Sequence, residues 1–156
     1  MALALLTLVT LAYAGYNVFI KVSGSHAPAG ASTTILATLC LQASAILTAT
    51  VFLAFLALQG GHSFRLGTPS YLYAAAAGFC IGAAEIGYLY LFGGVAGIRP
   101  MAASLVIPVV VSGTIVVALL VSALLFRESL GPWQLAGAAL VIAGIVVMFL
   151  GRRAAA

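Results

Sequence analysis

The amino-acid sequence predicts an all-α integral membrane protein with five membrane-crossing helices. Composition is the first observation behind this reading. Of 156 residues 65% are hydrophobic and only 5% charged, with a mean hydropathy of +1.28. So few polar side chains do not coat a water-facing surface. The second is that the apolar residues fall in long continuous runs, each near the ~20 residues a helix needs to cross the hydrocarbon. Third, these runs do not alternate apolar with polar as barrel strands do, and in lipid only helices and closed barrels satisfy their own backbone.

The first span runs from about residue 3 to 22 and ends at Lys21 and the turn-rich stretch SGSHAPAG. Its cation follows the apolar run and no positive segment precedes it, so it reads as a retained helix and not as a secretory signal. The second span, about 32–58, stops at QGGHSFRLGTP, and the third covers about 71–95. A short break, AGIRP, leads to the fourth at about 101–126, and RESLGP opens the fifth at about 133–150. Gly and Pro mark nearly every break, as helix ends require.

Five spans place the two ends of the chain on opposite sides of the bilayer. Lys21, Arg99, Arg152 and Arg153 fall on the C-terminal side, Arg65 and Arg127 on the other. Four cations against two favour a cytoplasmic C terminus in a cell (inner or plasma) membrane. So small a bias also permits insertion in both orientations, and hence an antiparallel homodimer. The cations are scattered apart from the terminal pair, which is no footprint for nucleic acid.

Polar side chains fall into columns when each span is drawn as a helix. Tyr13, Asn17 and Lys21 share one face of the first, and Thr34, Thr38 and Gln42 one face of the second. In the third, Glu85 shares a face with Gly78, Gly82, Tyr88 and Phe92; in the fourth, Ser104, Pro108 and Ser112 align. Pro108 has no N–H, so the Ser104 carbonyl loses its partner and a kink is expected. Ser, Thr and Asn columns serve either as interhelical glue or as the lining of a solute path. Gly137, Gly144 and Gly151 repeat every seven residues in the fifth helix, a small-residue stripe suited to close packing within the monomer or at a dimer contact.

Glu85 is one of two acidic residues, the other being Glu128. A carboxylate inside a span costs about 3 kcal/mol or more on insertion scales, and such residues face a cavity, pair, or carry protons. Three roles follow: binding a substrate cation or polar group, cycling a proton, or staying neutral in a hydrogen bond with Gln42 or Tyr88. Tyr13, Tyr16, Tyr88, Tyr90 and Phe92 offer aromatic walls beside few charges, which suits small amphipathic or polar substrates. Glu128 is expected to stabilise the start of the fifth helix. Cys40 and Cys80 read as small core residues, and His26 and His62 have no metal-ligand spacing. No nucleophile–base pair, phosphate-cradling loop or paired carboxylates are apparent, so no enzyme, metal or cofactor is expected.

The stretch SLVIPVVVSGTIVVALLVSALLFRESLGPWQLAGAALVIAGIVVMFLGRR resembles the EamA-type drug/metabolite transporter superfamily. The fourth-helix proline, the FRESL turn and WQLAGAALVIAGIVV carry the likeness. AYAGYNVFIK in the first helix is similar to the opening of an EamA repeat. The matching positions are Asn17, Lys21, Pro108 and Glu128, with Arg127 standing where the family usually has Gly. The resemblance covers one five-helix repeat and implies alternating-access transport of small metabolites or drug-like solutes, with export the expected direction. Typical members carry two repeats in ten helices, so pairing is expected, with a second copy or with another five-helix subunit. The related small multidrug resistance proteins have an acid in the first helix; this chain has none there, which leaves Glu85 as its candidate proton acceptor. The competing reading is a non-transporting membrane subunit that packs against and stabilises a partner.

Overall fold

The computed structural model describes residues 1–95 and 97–154. Among them the chain forms five helices and no strand: α1 (Ala2–His26), α2 (Ala31–Gln59), α3 (Thr68–Gly93), α4 (Ala103–Leu124) and α5 (Pro132–Ala154). Each holds a stretch long and apolar enough to cross a membrane. Large apolar side chains such as Leu8, Leu36, Phe79, Leu120 and Leu140 are exposed on these helices. In water that would be an aggregation hazard; in a bilayer it is the ordinary contact with acyl chains.

α1, α2 and α5 overrun the predicted spans at both ends, α3 starts and stops earlier than predicted, and α4 is shorter at both ends. α1 continues through the serine and glycine that suggested a turn, because Gly24 is buried against α3. Ser25 Oγ donates to the Val22 carbonyl in its last turn. α3 starts at Thr68, with Pro69 in the first turn, where its missing N–H leaves no bond unmade. It ends at Gly94, whose φ of +75° suits glycine and whose N–H donates to Tyr90 O at 2.9 Å. α4 runs through Pro108 without a break.

The chain divides into two compact units, Met1–Met101 and Ala102–Ala156. In the first, α3 packs against both α1 and α2, which also touch each other. α1 and α3 run parallel in one register. Tyr16 meets Glu85, and two turns later a Cβ on Gly24 would lie 2.8 Å from Phe92 Cβ while one on Gly93 would lie 3.2 Å from Gly24 O. The two glycines let the backbones approach, the small-residue contact on which packing in lipid depends. Phe92 and Leu89 fill the centre, with Ile20 and Tyr88 beside them.

In the second unit α4 and α5 pack together. The half-buried positions of α5 are Ala138, Val141 and Ile145, spaced as one helical face. Gly137, Gly144 and Gly151 lie off that face, exposed, with nothing within 4 Å of where a Cβ would stand. The glycine stripe is thus not the surface α5 turns to α4.

Two further expectations are corrected in the turn and on the surface. Glu128 does not serve the start of α5. It accepts a hydrogen bond from Ser122 Oγ, and its N–H donates to Ser122 O at 3.1 Å, so it closes the end of α4. The start of α5 is held by Gln134 instead, whose Oε1 accepts the Gly131 N–H at 2.7 Å, half of a capping box. Cys40 and Cys80 are not core residues; both are free and exposed on their helices.

Candidate functional site

The site forms where α1 crosses α3. Glu85, Tyr88, Leu89 and Phe92 recur at helical spacing and are the buried residues of α3, with Gly82 half-buried in the same column and Gly78 exposed. Glu85 is only 3% exposed. From α1, one turn below Ile20, Tyr16 donates its hydroxyl hydrogen to Glu85 Oε2. Gln42 and Tyr88 were the expected partners of a neutral acid; the partner is Tyr16. Parallel register decides this, because it sets Tyr16 level with Glu85 across 69 positions of sequence.

Aromatic rings extend from that bond in both directions. Tyr16 stacks with Tyr88 at 6.5 Å between centroids and 5° between planes. Tyr88 meets Phe92 edge-on at 5.2 Å, and Tyr13 meets Tyr16 edge-on at 6.4 Å while remaining exposed. Glu85 therefore sits in a row of four aromatic side chains drawn from two helices. At about 1.5 Å per residue it lies about 12 Å from the Gly93 end of α3 and about 26 Å from the Thr68 end, nearer the Lys21 side than the middle.

Lys21 does not pair with it. The Lys21 ammonium donates to Met101 O at 3.4 Å and lies 5.2 Å over the Phe92 ring. Its half-buried stem and charge are thus engaged at the end of the bundle where Met101 N–H also donates to Leu91 O.

Of the other polar candidates, Asn17, Thr34 and Thr38 have local partners, and one buried amide has none among the described residues. Asn17 Nδ2 donates to Tyr13 O, one turn back on its own helix, at 2.9 Å. Thr34 and Thr38 are buried, and each hydroxyl donates to the carbonyl four residues earlier, Gly30 and Thr34, at 3.0 Å. These hydroxyls close on their own backbone. Gln42, next in the same column, has its Nε2 buried with no partner among the described residues. Ser104, Pro108 and Ser112 belong to α4 of the second unit, where Ser104 is exposed and the other two half-buried. The side chains of Arg152 and Arg153 lie outside the described residues.

An open pocket of about 510 Å³ lies at the same end of the first unit as Lys21, between the start of α2 at Gly30 and the Gly94–Pro100 connection. It holds none of the carboxylate cluster. Among the described residues no three His, Cys, Asp or Glu side chains gather as a metal site.

From sequence Tyr16 is expected only as an aromatic wall, not as the hydrogen-bond partner of Glu85. A signal for it exists: Tyr16, Ile20 and Gly24 repeat every fourth position beside the polar column, ending in a small residue that marks a close crossing. The polar column drew attention one position away. No protein-family model, curated protein or solved structure matches this chain.

Proposed function

We propose that this chain is a five-helix repeat of an EamA-type transporter, pairing with a second copy or another such subunit to move a small solute by alternating access. Export is the direction the reading favours. Glu85 is the group that takes the solute's positive charge, or a proton in exchange, and Tyr16 holds the carboxylate in place between turnovers. The observation that carries this reading is Glu85 itself: a buried carboxylate inside a span, hydrogen-bonded to a tyrosine hydroxyl, among aromatic rings. Burial of an acid in lipid is unfavourable enough that such a group is a functional one by default. A carboxylate in this low-dielectric place is stabilised by neutralisation, which a cationic solute or a proton supplies.

The FRESL turn adds support. Arg127, where the family's turn carries Gly, has φ 53°, the left-handed conformation a glycine takes without penalty. The backbone of the turn is thus the one glycine would favour, although the residue differs.

A packing subunit is the second reading, and one observation favours it. Asn17, Thr34 and Thr38 satisfy their polar groups on their own helices, as they would in a dry bundle. Water access separates the two. In a chain with Cys40→Ala and Cys80→Ala, Glu85→Cys is labelled with a membrane-impermeant maleimide added from each side in turn. Labelling is expected, together with loss of solute flux in Glu85→Gln proteoliposomes. A correctly folded variant that stays unlabelled from both sides, with flux unchanged in Glu85→Gln, would remove the transport role of this residue.

A further inference from the structure

Among the described residues of the first unit, one buried side-chain polar atom has no hydrogen bond. Gln42 Nε2 stands enclosed and unpartnered, although the Thr34 and Thr38 hydroxyls above it in the same column, and the Asn17 amide on α1, all find backbone carbonyls. A buried donor without an acceptor destabilises the protein that carries it. In lipid the penalty is not relieved by solvent, so an unpaired amide at a helix contact is a place kept for something else.

Its position points to what that is. α2 and α3 run antiparallel, with Gly30 and Gly94 lining one pocket at their shared end. Gln42 lies twelve residues along α2 from Gly30, and Glu85 nine residues back along α3 from Gly94. At about 1.5 Å per residue the two side chains leave their helices within about 5 Å of the same depth. The column that ends in Gln42 is the buried face of α2, whose main neighbour is α3. The Gln42 amide and the Glu85 carboxylate thus stand at one depth on two helices that pack against each other.

We propose that Gln42 is a specificity-determining residue of the Glu85 site, and that the site takes a small organic ammonium ion bearing a hydrogen-bond acceptor two or three bonds from its nitrogen. The ammonium pairs with Glu85, the acceptor oxygen takes the Gln42 Nε2 hydrogen, and the Tyr16–Tyr88 rings pack against the apolar remainder. This rests on the transport-site reading of Glu85 and adds the class of solute. Cations without an acceptor leave Gln42 unpaired, and a site built to hydrogen-bond one oxygen discriminates against ligands that lack it.

The test uses the full chain in nanodiscs and two amines that differ by one hydroxymethyl group, phenylalaninol and 2-phenylethylamine, with affinities from calorimetry. Phenylalaninol is expected to bind about tenfold more tightly, the worth of one charge-independent hydrogen bond. In Gln42→Met the two affinities converge, and the ligand-free variant melts at a higher temperature than the parent because the unpaired donor is gone. Gln42→Leu serves as a second apolar variant if Met does not fold. In Glu85→Gln both amines bind weakly.

Equal affinities in the parent, or discrimination that survives Gln42→Met and Gln42→Leu, overturn the role of Gln42 while leaving Glu85 as a cation site. Failure of both amines to bind the parent at millimolar concentration overturns the solute class. A lower melting temperature in both apolar variants means that the amide is partnered in the membrane, which also overturns it. Amine binding that is unchanged in Glu85→Gln instead brings down the site reading on which the inference stands.

Discussion

A methyl group decides whether α1 and α3 can meet. Gly24 has no room for one: the Cβ would stand 2.8 Å from Phe92 Cβ, and Phe92 is itself only 1% exposed. Gly15, on the same helix, has nothing within 4 Å of that position. Gly24→Ala is therefore expected to destabilise the protein by about 1–3 kcal/mol, the usual penalty of overpacking, whereas Gly15→Ala is close to neutral. Thermal melting of the two variants in one detergent checks the difference; equal melting temperatures contradict the close crossing. Because Gly24 sits two turns from Tyr16 in the same register, the first variant should also loosen the Tyr16–Glu85 bond.

Arg127 is the opposite case at the same scale. Its φ of 53° places a residue with a Cβ in a conformation that costs a non-glycine residue about 1–2 kcal/mol. Glycine there removes the strain but has more freedom to lose on folding, so Arg127→Gly is expected to stabilise by a net of about 0.5–1 kcal/mol. A melting temperature below that of the parent would mean the guanidinium makes contacts that outweigh the strain.

At the scale of elements, α5 has a packing face and a separate glycine face. Ala138, Val141 and Ile145 are half-buried, whereas Gly137, Gly144 and Gly151 are open along their length. A helix holds small residues on one side at some sacrifice of helix propensity, about 0.8–1 kcal/mol for each Gly against Ala in soluble helices. If the stripe is where a second copy packs, Gly144→Leu leaves the monomer folded and shifts it out of the dimer on size exclusion with light scattering. An unchanged oligomeric state moves the proposed pairing to another face. α2 shows the same division on a smaller scale: hydroxyls that close on their own backbone occupy one end of its buried column, and the unpaired amide of Gln42 the other.

Orientation in the membrane belongs to the molecule as a whole, because it follows from the distribution of charge over all the loops. Within the first unit, Lys21 and the Arg99 connection do share one end, where Lys21 binds the Met101 carbonyl. Changing Arg99 and Arg153 to Gln leaves two cations on each side. A reporter fused to the C terminus is then expected to appear on both faces of the membrane, whereas in the parent it is expected in the cytoplasm. A parent already distributed equally would favour the antiparallel pair, and an unmoved reporter in the double variant would show that other determinants set the orientation.

Hydropathy is a local sum, which is why the sequence by itself determined the solvent, the number of helices and their ends to within a few residues. Each apolar run exceeds the bilayer's requirement without help from any other, and Gly and Pro stop it through their own backbone chemistry. The presence of Glu85 within a span was equally legible, since one charge among apolar neighbours needs no fold to be noticed. Its partner was not. Whether Tyr16, Gln42 or Tyr88 meets it depends on the rotation and register of helices far apart in sequence, and a shift of one residue turns a side chain by about 100° around its axis. The close approach at Gly24 and Gly93 fixes that register, and only with it fixed does Tyr16 reach the carboxylate. The same tertiary contacts decided which polar side chains close on their own helices and which one is left with its hydrogen unclaimed.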